Sequence, residues 1–185
     1  MQNKLKWLAI ITLVIGIFSP ITSVFASNLH LIFGADYINS DIKYNNEDKQ
    51  TGPKEDFKSI SPVIGISAYG IGLEAFFFNS DANEKDSLES KLQAYGIAVV
   101  GEANLSDNFA LIASLGMAEY KFKIKKDKLK YEEDCNGPRI GIGLQYYLTR
   151  HLAIRGMYHY TLLNSGENDA YEAISEFTAG LRLIF

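Results

Sequence analysis

Ser175-Glu176-Phe177-Thr178-Ala179-Gly180-Leu181-Arg182-Leu183-Ile184-Phe185 alternates with a period of two. Phe177, Ala179, Leu181, Leu183 and Phe185 take every second position. Between them stand Glu176, Thr178, Gly180, Arg182 and Ile184. A strand sends successive side chains to opposite faces. One face of this segment is therefore hydrocarbon, and the other carries a carboxylate and a guanidinium. In a soluble sandwich the apolar face points inward. In a transmembrane barrel it points outward to lipid, and the polar face lines the lumen.

The other end of the chain chooses between the two. Lys4 and Lys6 form a short positive region, and Trp7 to Phe18 is apolar apart from Thr12 and Gly16. Pro20 breaks the segment, and Val24-Phe25-Ala26 closes it on a small residue before Ser27. This is the pattern of a cleaved export signal. The apolar run falls short of the ~20 residues a spanning helix needs. Residues 1–26 are expected to be removed, leaving 27–185 as one barrel domain with no further domain after it. Losing Lys4 and Lys6 takes the formal charge from −4 to −6. An acidic chain has no phosphate-tracking footprint, so nucleic acid is not an expected partner. Cys135 is the only cysteine, so no intrachain disulfide can form. The hydrogen bonding of a closed barrel supplies stability instead.

Eight alternating segments follow the signal. They run over about Leu29–Ile38, Ser59–Ala68, Ile71–Asn79, Lys91–Ala103, Phe109–Phe122, Arg139–Leu148, Leu152–Leu162 and Ser175–Phe185. Tyr69-Gly70 between the second and third is a tight hairpin signal. The fourth alternates least, because Ile97 to Val100 are all apolar. Connections after the even segments are short, and those after the odd ones are long and charged. Short turns at one end and long loops at the other characterise outer-membrane barrels. A soluble eight-stranded barrel would turn the large aliphatics inward around a ligand. Its exterior would then be mostly Gly, Ala and Ser, with little charge for solubility. The expected fold is all-β: an eight-stranded antiparallel up-and-down transmembrane β-barrel, both termini periplasmic. Tyr37, Tyr146, Tyr147, Tyr158, Tyr160 and Phe185 fit interfacial aromatic girdles.

Four segments carry a family likeness. They are Tyr95–Gly101, Leu105–Phe109, Gly141–Tyr147 (Gly-Ile-Gly-Leu-Gln-Tyr-Tyr) and Leu152–Tyr158. Their order resembles the small outer-membrane β-barrel superfamily, which includes the membrane domain of outer-membrane protein A and the adhesion/invasion barrels. By that resemblance, Phe185 with its apolar alternate residues is the signal read by the barrel-assembly machinery of a Gram-negative bacterium. The peptidoglycan-binding domain that follows some such barrels is not seen here.

Glu74, Arg139, Arg155, Glu176 and Arg182 fall on the non-lipid face. Eight strands leave an interior only wide enough for side chains, and a charge there is costly unless paired. By resemblance, Glu74 and Arg155 match an internal carboxylate–arginine network. Glu74 is expected to pair with Arg155 or Arg139 and plug the lumen. The alternative is separate solvated charges near the rims.

A catalytic reading is weaker. His159-Tyr160-Thr161 followed by Asn164-Ser165-Gly166 is similar to the His-x-Ser pattern of lipid A deacylases. Thr161, however, stands where that family needs serine, and the register aims His159 into the lumen. A serine nucleophile also needs an adjacent base and an orienting carboxylate. No catalytic residue, metal site or cofactor is expected; His30 and His151 lie far apart, and nothing has metal-ligand spacing.

The surface is expected to be four loops, 39–58, 80–89, 123–137 and 163–173. The third holds Cys135 among Lys125, Lys126, Lys128, Lys130, Glu132, Glu133 and Asp134, a charge run of the solvated kind. The expected function is a porin-like, plugged outer-membrane barrel with structural, adhesion or host-interaction roles. The alternative is a narrow pore or a lipid A-modifying membrane enzyme. Expected partners are outer-membrane lipid and lipopolysaccharide, the barrel-assembly machinery and a host surface ligand, with the barrel itself a monomer.

Overall fold

The computed structural model describes residues 29–44, 56–81, 83–85, 88–126, 129–164 and 171–185. The expected export signal, residues 1–26, lies outside the described residues. Eight long strands form the wall: β1 (His30–Tyr44), β2 (Phe57–Ala68), β3 (Ile71–Asn79), β5 (Leu88–Ser106), β6 (Phe109–Lys126), β7 (Leu129–Thr149), β8 (Leu152–Leu162) and β9 (Tyr171–Ile184). A three-residue strand, β4 (Asn83–Lys85), folds back on the start of β5. Sequential neighbours pair antiparallel around the sheet.

Two pairings close the cylinder. β3 meets β5 from Ile71↔Gly101 to Asn79↔Gln93. β1 meets β9 from Ile32↔Ile184 to Tyr44↔Tyr171. Closure leaves no long unpaired edge in the membrane zone, as lipid demands. Leu31 and Phe185 exchange both backbone hydrogen bonds at 2.9 Å, tying the last residue into the wall. The β2–β3 turn is Tyr69-Gly70, both at positive φ (54° and 78°). That is the geometry a two-residue primed hairpin requires.

The large aliphatics point outward. Leu115, Ile142, Leu181 and Phe177 are half or more exposed, in common with most residues of their face. On β6 the outward apolar positions run from Phe109 to Met117. At ~3.4 Å rise and a tilt near 40°, nine residues cover roughly 20–25 Å, the height of a barrel's apolar band. Phe33 packs edge-on against Phe185 at the periplasmic rim, ring centroids 6.1 Å apart.

One expectation needs correcting. Residues 123–137 are not a loop: β6 continues to Lys126, and β7 begins at Leu129. The pairing runs unbroken through Phe122↔Glu133 and Lys126↔Leu129. Likewise 80–89 contains β4 and the start of β5. Within 39–58, β1 extends to Tyr44 and β2 begins at Phe57, and β9 begins inside 163–173. The remainders, 45–55 and 165–170, lie outside the described residues. The physical reason is an inversion of polarity. Above the headgroups the outside of the wall is water, so Lys121 and Lys123 face out while Tyr120, Phe122 and Cys135 face in. Asn39, Asp41 and Lys43 alternate with buried Ile38, Ser40 and Ile42 in the same way. A reading that seeks apolar residues on the outside misses strand of this kind.

Candidate functional site

Inward positions stack into three levels. At mid-height three ion pairs fill the lumen, one of them, Glu74–Arg155, reaching across it from β3 to β8. Arg155 Nη1 donates to both carboxylate oxygens of Glu74, at 2.7 and 2.9 Å. Arg182 holds Asp36 in a two-pronged contact, Nη1 to Oδ1 at 2.6 Å and Nη2 to Oδ2 at 2.8 Å. Arg139 grips Glu176 through Nε at 2.8 Å and Nη2 at 2.7 Å. The first two pairs touch, since Arg182 Nη2 lies 3.7 Å from Glu74 Oε2. Gln145 accepts from Arg155 Nε at 2.8 Å.

All six charged residues are buried. Desolvation makes an unpaired charge here untenable, and planar guanidinium forks that meet carboxylates through two bonds offset it best. Three cations face three anions, so the level is neutral. The structure thus brings together Glu74 and Arg155, while Arg139 goes to Glu176. Asp36 completes the balance. It was visible in the alternation of β1, sharing the inner face with Ile32 and Gly34.

Small residues make the space. A Cβ on Gly34 would sit 2.7 Å from Arg182 Cδ, and one on Gly65 would sit 2.8 Å from Glu74 Cγ. Gly96 leaves room for the Phe76 ring in the same way, at 2.7 Å. The inward glycines are therefore the floor under large neighbours on the next strand.

Above this level lies an apolar layer: Ile38, Ile42, Phe57, Phe78, Leu92, Ala94, Ala118, Tyr120, Phe122, Cys135, Leu163 and Ile174, with Phe76 packed beneath. Two contacts stitch the layers together. The Tyr120 hydroxyl lies 3.0 Å from Thr161 Oγ1, and the Arg139 guanidinium stacks over Phe76, 4.3 Å from its centroid. Below the charged level a cavity of about 340 Å³ opens at the short-turn end. Its wall includes Val100 from a smaller apolar cluster and the Tyr147–Glu102 hydrogen bond.

His159 and Thr161 share the inner face of β8, but they do not form a catalytic pair. Thr161 is engaged with Tyr120, and His159 Nδ1 has no hydrogen-bond partner. Phe185 is exposed at the periplasmic rim. Cys135 is buried beside Tyr120, and its thiol is pushed up to about 11, by burial first and then by Glu133 and Asp134. Among the described residues, no group of His, Cys, Asp and Glu could hold a metal ion.

The comparisons agree with this architecture. The outer membrane protein beta-barrel domain profile matches residues 65–185. The chain belongs to that family. It is an outer-membrane protein, and its exposed aliphatics are its lipid-facing surface. Among solved structures, the barrel is similar to Ail, the attachment invasion locus protein of Yersinia pestis, in complex with the heparin analogue sucrose octasulfate. The TM-score is 0.63 at 14% identity, covering 85% of this chain and 99% of that one. It is also similar to neisserial surface protein A, with a TM-score of 0.60, 14% identity, and coverage of 85% and 97%. For OprG of Pseudomonas aeruginosa the figures are 0.57, 15%, 85% and 96%. No curated protein sequence matches the chain.

Proposed function

We propose that this barrel is a closed, non-enzymatic surface protein that presents its extracellular ends to a host ligand. The observation that carries the closed lumen is its filled interior, three buried ion pairs at mid-height beneath a fully packed layer of Phe78, Leu92, Tyr120 and Ile174. The non-enzymatic reading rests on Thr161 being committed to Tyr120, away from His159. On this reading residues 1–26 are removed on export. Phe185 is read by the barrel-assembly machinery, and lipid and lipopolysaccharide surround a monomer.

The presented surface consists of the water-facing strand extensions, with Lys43, Lys58, Lys121 and Lys123 among their outward residues, together with segments 45–55 and 165–170. A sulfated glycan suits those lysines. Ail, which shares this barrel fold, was solved with a compound of that class.

The test has two arms. Purified barrel in planar bilayers should show no steady conductance; a stable channel would sink the closed-lumen reading. Bacteria expressing the chain should bind host cells, and replacing Lys43, Lys58, Lys121 and Lys123 together by Gln should weaken binding at least tenfold. Unchanged binding by the quadruple variant would contradict the surface-display reading. An unchanged lipid A mass spectrum on deletion is expected if the barrel is not an enzyme.

A further inference from the structure

We propose that the lumen is sealed by its extracellular apolar layer and not by its ion pairs. The charged level is then the wet floor of a vestibule that water and small ions enter from the periplasm. The inference deepens the closed-lumen reading and rests on it.

The large cavity opens at the short-turn end, rimmed by Tyr69, Glu102 and Arg150, and reaches Glu74, Arg155 and Arg182. A second void of about 30 Å³ begins at the same Glu74 and Arg182 and continues to Asp36, Ser61, Arg139 and His159. Periplasmic water therefore reaches Glu74, Arg155 and Arg182, and the second void lies directly beyond them beside Asp36, Arg139 and His159. Three atoms of the network, His159 Nδ1, Glu176 Oε1 and Arg182 Nε, are buried without a hydrogen-bond partner. Buried polar atoms of that kind are commonly satisfied by internal water, and a void of this size accommodates one.

The route ends at the next layer up. Ile38, Phe78, Leu92, Tyr120 and Ile174 are each at most 2% exposed. Ser40 Oγ, between Ile38 and Ile42, is an unpartnered polar atom at this height; the packing around it is apolar, and a hydrophobic constriction stops ions by excluding their hydration water. The Tyr120 hydroxyl, turned to Thr161, marks the boundary between wet and dry. Water that reaches the ion pairs goes no further, because the packed layer above them offers it no polar partner; that layer must be cut to open a path.

The chain carries its own probe, because Cys135 sits in the dry layer. The experiment uses a charged methanethiosulfonate reagent on the barrel refolded in detergent, with planar-bilayer recordings alongside. Ser67→Cys in a Cys135→Ser background places a thiol in the vestibule. It should react at least 100-fold faster than Cys135 of the unaltered barrel. Phe78→Ala with Tyr120→Ala should raise the Cys135 rate at least tenfold and produce conductance. Glu74→Gln with Arg155→Gln should do neither.

The proposal is overturned if the Gln pair opens the channel or exposes Cys135. It is equally overturned if the alanine pair folds and changes nothing. Should the alanine pair not fold, the comparison of Ser67→Cys with Cys135 decides alone, and equal rates overturn the proposal. Conductance of the unaltered barrel is a separate outcome that rejects the closed-lumen reading itself.

Discussion

The middle and the top of the lumen fill the same width of barrel by different physics. At mid-height the interior is Arg139, Arg155 and Arg182 against Asp36, Glu74 and Glu176, where each group depends on particular named partners. Near the extracellular end it is Phe78, Leu92, Tyr120 and Ile174, where volume matters more than identity. A polar level fixes the register of its strands, because a shift by one residue points every charge into lipid. An apolar level tolerates exchange of side chains of similar size. The difference teaches that pairing and sealing are separable tasks, assigned to separate layers.

Substitutions can break that contrast in order of size. Arg155→Ala leaves Glu74 buried with only the distant Nη2 of Arg182, and should cost about 3–5 kcal/mol. Urea titration followed by heat-modifiable gel migration would measure it. Reversing both charges, Glu74→Arg with Arg155→Glu, should recover much of the loss, and failure to recover would argue against direct pairing. Gly34→Ala pushes a methyl against Arg182 and the Leu181 carbonyl, and should cost about 1–3 kcal/mol by the same titration. Tyr120→Phe keeps the ring but removes the contact to Thr161, for about 1 kcal/mol. Lys121→Ala deletes an exposed pair with Asp134 and should cost less than about 1 kcal/mol, so it serves as the baseline.

The legible part of the fold was the part that touches lipid. β3 (Ile71–Asn79) and β8 (Leu152–Leu162) follow the alternation from end to end. Both begin directly after short turns, and neither extends far beyond the membrane. β6 and β7 were cut short because their upper thirds alternate in the opposite sense: Lys121 and Lys123 out, Tyr120 and Phe122 in. Residues 97–100 on β5 blurred for a related reason. Ala98 and Val100 are buried inside while Ile97 and Val99 meet lipid, so both faces are apolar there. In the site, alternation placed Arg139, Arg155 and Arg182 on the inner face. It could not choose partners, because register across non-adjacent strands depends on closure. Glu74 on β3 and Arg155 on β8 meet across the lumen, 81 positions apart in sequence. Alternation also puts Asp36 on the inner face of β1, but a lone aspartate in a strand carries no motif that names Arg182 as its partner.

The single tryptophan, Trp7, lies within the segment expected to be removed, so the mature chain accepts one reporter without background. Leu115→Trp places an indole on the outward face of β6, at a position 63% exposed in the isolated barrel. Refolded into vesicles of brominated phospholipid, its fluorescence should be strongly quenched by the bromine and little affected by aqueous acrylamide. Quenching by acrylamide with none from the brominated lipid would mean that this face meets water or protein, and the bilayer-facing wall would be wrong.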